Sequence, residues 1–445
     1  MEDRTEFGVR NAGCGVLDEP NHSAQASMVK SENHANIARI ILRSLWLLPG
    51  LWAAHLSQAA PAGPQPTRPV TEAQAVGNEP WEGKGDVATH LQTAVDTAAK
   101  TGAAVRLPAG RWRLAKPVVL RDKVTLEGNT NGTILAPAED NAADPVLLEL
   151  PVNTADVRIR NITFDGGGKD FPNRNPLLAA TAGSNIVFEA VTVQNSSGMG
   201  LLLQGGMKNS GVRNSRFVNL GNHWKTTLSK ADRIQGLVFC CGEGNTDNFA
   251  TGNHFTDIGL DALQIGDQTR FCAASNFFEL ANNQYNLVPA PDYPAGIFVL
   301  HSAQVEVSGN IIHAAAGNGI DAPGLQRSGI SNNVVSGCGG CGIGLFLGYD
   351  GVRQTTGVAV VGNTVTDNVH WGLSSFIGGI TIAGGNPSDI LIAGNTVTDT
   401  QDKKTQAYGI QVRENTKVAS LRIDRRNRLS GNRLGEMSGA DYSEP

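Results

Sequence analysis

The side chains best placed to do chemistry in this 445-residue chain fall between Asp261 and Asp321. Asp261, Asp267, His301 and Asp321 can each take or give a proton, and Gln264 and Phe298 are interspersed among them. Carboxylates and an imidazole brought to one exposed face have coupled pKa values and suit general acid–base work. Asp257 is also close by, although an Asp is equally suited to shaping a bend. What this set can do depends on the elements that bring it together.

Those elements are set by a repeat. Gly296-Ile297-Phe298-Val299-Leu300-His301 is followed, fourteen positions after Gly296, by Asn310. The pattern restarts at Gly319-Ile320-Asp321-Ala322 and reaches Asn333 fourteen positions on, giving a unit of 319 − 296 = 23 residues. One column runs Gly200, Gly236, Ala262, Gly296, Gly319, Gly342, Gly379, Gly409. A second runs Asn214, Asn253, Asn276, Asn310, Asn333, Asn363, Asn395, Asn427. A period of this size marks a solenoid, whose units bury their apolar faces only by stacking.

Short period-two runs rich in Val and Ile, separated by Gly and Asn, describe strands and turns. Three strands and three turns fill one unit, so the chain is expected to coil into an all-β parallel β-helix. Asn in every unit suits a left-handed bend, where its amide can also bond the Asn of the next unit. On these columns the sequence resembles the right-handed parallel β-helix proteins of the pectate-lyase-like superfamily, over roughly residues 155–432. Upstream, Val87, Leu91 and Val95 follow the spacing of an amphipathic helix over 86–101 with Asp86 as N-cap. With Val105-x-Leu107-Pro108-Ala109-Gly110 this block resembles the opening of many domains in that superfamily, where a helix caps the open coil end.

In each unit the first and third residues after the Gly column should face the core and the second and fourth the solvent. Gln264, Phe298 and Asp321 then share one outer row, rungs about 4.8 Å apart, and Asp267 and His301 occupy equivalent places on adjacent rungs. Two units are enlarged at one corner, between an Asn and the next Gly. The first insert holds His223, Trp224, Lys225 and Arg233; the second holds Tyr285, Asp292 and Tyr293. A shorter connection holds His370 and Trp371. Long loops on one side of a solenoid commonly frame a binding surface. Trp224, Lys225, Gln264, Arg270, Tyr285, Tyr293 and Phe298 are therefore the candidate substrate-binding residues, with loop packing as the plainer role for the aromatics.

Asp261-Ala262-Leu263-Gln264-Ile265 resembles the paired-aspartate strand of polygalacturonases, with Leu260 in place of the first Asp. Asn245-Thr246-Asp247 matches another motif of that family in letters but follows its strand. Ala295 stands where a His belongs, and Asp321 where an Arg belongs. The resemblance thus transfers Asp261 alone, and a two-carboxylate hydrolase would need another arrangement. β-Elimination from an acidic polysaccharide has different needs: a base near the carbon α to the carboxylate and a positive group for the developing charge. His301 is the candidate base, Asp267 its orienting partner, and Arg270 or Lys225 the counter-charge. No cofactor is expected. Asp261 or Asp321 could hold Ca²⁺ through oxygen ligands, although no calcium motif is present.

A net charge of −5 gives no case for nucleic acid, and 53 Gly with 17% charged residues fit a soluble, turn-rich chain. Residues 1–27 match neither a domain nor a sorting signal. From Met28, the basic Lys30, Arg39 and Arg43, an apolar run to Ala54, and Ser57-Gln58-Ala59 read as a cleaved secretory signal over 28–60. The run is short for a bilayer span. A Pro-rich linker over 61–85, the β-helix over 86–435 and a tail over 436–445 complete the expected organisation, as an exported, periplasmic or secreted monomer that cleaves or modifies an acidic polysaccharide, elimination ahead of hydrolysis, the alternatives being a non-catalytic polysaccharide-binding or cell-envelope protein and a structural solenoid or adhesin. Cys338 and Cys341 have CxxC spacing but no second pair and no redox context. Export would allow a disulfide among Cys240, Cys241, Cys272, Cys338 and Cys341 without fixing the pairing.

Overall fold

A computed structural model describes residues 87–139, 146–169, 175–221, 235–280, 294–370, 377–414 and 416–439. Helix α1, Val87–Thr101, opens it with Leu91, Val95 and Ala98 buried on one face against the first strands. It is followed by strands from Ala104–Arg106 to Gly435–Ser438, so the last strand runs three residues beyond the expected end of the solenoid. The strands form three all-parallel sheets of 13, 12 and 12 members, each strand pairing with its counterpart one coil away. This is a parallel β-helix, as the repeat implies.

The register follows the apolar alternation. In the third sheet Leu263 pairs with Ile297, Ile297 with Ile320 and Ile320 with Ile343, all fully buried. The next-but-one residues, Ile265, Val299, Ala322 and Leu345, are also core. In the second sheet Phe217, Phe255 and Phe278 occupy one interior row, their rings stacked at centroid separations of 4.9 and 4.7 Å. Along the outer row of the first sheet, Arg106, Glu127, Arg160, Glu189 and Arg213 alternate in sign on five successive rungs.

The Asn column forms a continuous side-chain ladder. Asn253, Asn276, Asn310, Asn333, Asn363 and Asn395 each donate from Nδ2 to the Oδ1 of the following Asn, ending at Asn427, at 2.9–3.0 Å. Each Oδ1 also accepts the backbone N–H of the preceding Asn. Two details differ from the sequence expectation. The left-handed residue is the one before the Asn, namely Gly252, Ser275, Gly309, Asn332, Gly362 and Gly394. The ladder itself is in ordinary backbone, because its amide has to reach along the coil axis. In the earliest such rung Asn214 takes the left-handed place, and Ser215 provides the N–H that Asn253 accepts.

Candidate functional site

Gln264, Phe298 and Asp321 pair in one outward row of the third sheet, but the row is not the open groove the sequence suggests. Gln264 is 6% exposed, Phe298 7% and Asp321 7%. Gln264 Oε1 accepts from Gln235 Nε2 at 3.0 Å. Phe298 packs on Tyr349 at a ring separation of 5.7 Å, and Gly344, next to Asp321, leaves room for the Phe346 ring. Polar side chains placed outward are thus closed over by aromatics.

Asp321 is the most perturbed acid of this row. Its Oδ2 accepts from Asn318 Nδ2 at 2.9 Å and its buried Oδ1 has no partner among the described residues. Burial pushes its carboxyl up to about 6, against the lowering effect of that one hydrogen bond. A buried carboxyl with a single donor favours its neutral form. Asp261, by contrast, spends Oδ1 on the backbone N–H of Ala295 on the next rung at 2.9 Å. Asn318 does the same for Cys341. Both positions precede the Gly column, so Asp261 joins the coil together as Asn318 does.

Asp267 and His301 stand at equivalent turn positions on adjacent rungs, both left-handed, with φ of 53° and 51°. Asp257 is left-handed too, at 54°, as its bend-forming role predicts. The carboxylate beside the His301 ring is Asp350, whose Oδ1 lies 3.7 Å from Nε2. Arg353 links the group, 3.3 Å from Asp267 Oδ1 and 3.4 Å from Asp350 Oδ2. The imidazole fits because Gly324 and Gly348 are bare: a Cβ there would lie 3.1 Å from Cδ2 and 2.7 Å from Nε2. Its side chain is 11% exposed. Burial holds the ring below its ordinary value, Asp350 and Asp267 pulling upward and Arg353 downward, so it is neutral at pH 7. Asp350 is presented by a tight turn in which the N–H groups of Val352 and Arg353 both donate to Oδ1 at 2.9 Å. Burial alone would raise its carboxyl, but these bonds, His301 and Arg353 hold it below the carboxylate range.

Arg270 does not reach this group. It sits in the first-sheet strand Gln268–Ala274 and grips Asp247, Nε to Oδ1 at 2.6 Å and Nη2 to Oδ2 at 2.7 Å, in a rung-to-rung bridge. Trp224, Lys225, Tyr285 and Tyr293 lie outside the described residues, as do His223, Arg233, Asp292 and Trp371. Among the described residues no three His, Cys, Asp or Glu side chains converge as a metal site. Tyr349, Asp350 and Arg353 are site residues that the pattern did not single out. A signal was present: Gly342 to Asn363 spans 363 − 342 = 21 residues against fourteen in the tight units, and the extra residues are this turn.

A family model described as "Right handed beta helix region" matches residues 152–322 and 242–424, together more than half of the chain. The chain belongs to that family. No curated protein matches its sequence. Three solved β-helix structures are similar. The mannuronan C-5 epimerase AlgE6 A-module of Azotobacter vinelandii shares 18% identity, with 82% of this chain and 97% of that one covered at a TM-score of 0.52. A tailspike protein mutant of E. coli bacteriophage HK620, in complex with a pentasaccharide, shares 16% over 79% and 64% at 0.57. The catalytic unit of an alpha-1,3-glucanase from Streptomyces thermodiastaticus shares 16% over 84% and 70% at 0.51. At these identities the likeness is one of fold.

Proposed function

We propose that this β-helix protein engages a polysaccharide where the third-sheet strands turn, and that it modifies an acidic polymer there by proton abstraction. The observation that carries this reading is His301: a neutral imidazole against Asp350, with the half-exposed Arg353 guanidinium beside it. In a uronate the proton α to the carboxylate passes to the base, the C–H electron pair forms the new double bond and the glycosidic oxygen leaves. Arg353 offsets the charge developing on the carboxylate, the role assigned from sequence to Arg270 or Lys225. The mannuronan epimerase, the saccharide-bound tailspike and the glucanase named above act on or bind carbohydrates, which supports the substrate class for this chain. Export through residues 28–60 is part of the same proposal.

Incubating the purified protein with a panel of uronate polysaccharides, and following the ultraviolet absorbance of unsaturated ends, tests the reaction. Product from the parent and none from His301→Ala is the expected result. Retention on the polymers with no product, or product that survives His301→Ala, would sink the elimination chemistry. One observation favours binding without catalysis as the second reading: His301 Nε2 and Asp321 Oδ1 are both closed off from solvent. A hydrolase on the same fold would show itself by new reducing ends without unsaturation.

A further inference from the structure

The strand Leu237–Cys240 ends in a disulfide between neighbours, Cys240 and Cys241. Cys240 is buried, whereas Cys241 is exposed and left-handed at φ 62°. Cys241 occupies the turn position that Asp267 fills one rung on and His301 two rungs on. With rungs about 4.8 Å apart, the disulfide is roughly 10 Å along the coil from His301.

Glycines surround much of it, with Asp267 at the neighbouring turn position one rung on. Gly205 and Gly206 precede it by one rung, Gly242 and Gly244 follow it in its own turn, and Gly266 lies beside it on the next rung. A Cβ on Gly266 would come 3.4 Å from Cys240 Cβ, and one on Gly242 would come 3.3 Å from Gly205 Cα. The turn is fixed from below: Asn245 Nδ2 donates to the Gly242 carbonyl at 2.9 Å, and Asn245 Oδ1 accepts from the N–H groups of Gly206 and Met207. Glu243, exposed, is the charged side chain at the edge of this turn. The result is a glycine-lined turn that exposes Cys241 in line with the acid–base group.

The geometry points to the Cys240–Cys241 disulfide as a saccharide subsite, an apolar ledge for the C–H face of a pyranose ring two rungs from His301. The inference rests on the polysaccharide reading given above. A pyranose combines one apolar face with a polar rim, which matches polarizable sulfur bordered by backbone groups. A disulfide between adjacent residues has no rotamers to lose when a ring settles on it, so the contact costs little order. The bare glycines allow the ring to approach closely.

Alkylation of the unreduced protein followed by peptide mass mapping must leave Cys240 and Cys241 unlabelled; free thiols there overturn the inference. Affinities for oligouronate dimers and octamers are then compared for the native protein, the same sample after reversible reduction with a phosphine, and the Cys240→Ser, Cys241→Ser double variant. The reduced sample serves if the double variant fails to fold. Opening the disulfide should weaken octamer binding about tenfold, the scale of losing one well-packed apolar contact, and leave the dimer, too short to reach from His301, unchanged. Unchanged octamer affinity, or an equal loss for both lengths, overturns the subsite while the polysaccharide reading survives. A native protein that binds neither length, nor any polymer of the panel, overturns both.

Discussion

The coil turns at two kinds of corner that share a backbone requirement and differ in everything else. At the Asn corner a left-handed residue is followed by a buried amide that bonds the next rung, and the solution is repeated with little change from Asn253 to Asn395. At the corner after the third sheet, successive left-handed positions hold Cys241, Asp267, His301 and Gly324. The first corner fixes the spacing of the rungs. The second takes that spacing as given, so each of its positions is free to carry a different side chain. A strained φ is thus occupied by structural residues on one edge and by chemically capable ones on the other.

The sharpest way to break the contrast is at the ladder. Asn310→Ala removes four hydrogen bonds and leaves the Asn276 N–H buried without its acceptor. It should cost about 3–5 kcal/mol in denaturant unfolding; a loss near zero would mean that the amides are decoration. Next comes the strand between the corners. Ile297→Ala opens a cavity in the core and should cost about 2–4 kcal/mol, with Phe298→Ala costing less, since its ring lies outside the core cluster. Equal losses would argue that the aromatic cover over the outward row matters as much as the core.

Asp321→Asn should stabilise the protein near neutral pH. A carboxyl raised from 3.8 to about 6 on folding binds its proton more tightly in the folded chain. Its contribution is fully present below pH 3.8 and is lost as pH rises through about 6. At 1.36 kcal/mol per pKa unit the loss is roughly 3 kcal/mol. Thermal unfolding of both proteins between pH 4 and pH 8, ~4 units spanning that window, checks it, and parallel curves would refute the buried acid. The smallest stability effect belongs to the turn: His301→Ala should cost under about 1 kcal/mol while abolishing turnover. The parent's rate should fall as pH drops through the lowered imidazole value, below 6.5. A rate insensitive to acid there would remove His301 as the base.

The fold was legible because two signals agreed over most of the coil: apolar alternation for the strands and, from Asn253 to Asn427, an Asn at the corner. The helix at 87–101 was legible for the same reason, since its buried face follows the apolar spacing. The site was legible only in outline. Strand periodicity correctly turned Gln264, Phe298 and Asp321 outward, but it carries no information about what lies over them, and Tyr349 and Phe346 close that row. Nor could spacing show that Arg270 would be taken by Asp247, or that the carboxylate at His301 would come from a turn fifty residues further on rather than from the adjacent rung. Such contacts depend on loop conformation, which no repeat encodes.

The amide ladder has an electrical consequence. Every side-chain amide from Asn253 to Asn395 receives at its oxygen and donates from its nitrogen in the same sense along the axis. The group dipoles therefore add head to tail, as peptide dipoles do in an α-helix. Each bond polarises its neighbours and strengthens them. The positive end falls at Asn427, whose Nδ2 is met by the carbonyls of Ile392 and Asp424. The row is in effect a polarised filament buried in the corner of the coil, and interrupting it in the middle shortens two filaments instead of deleting one link.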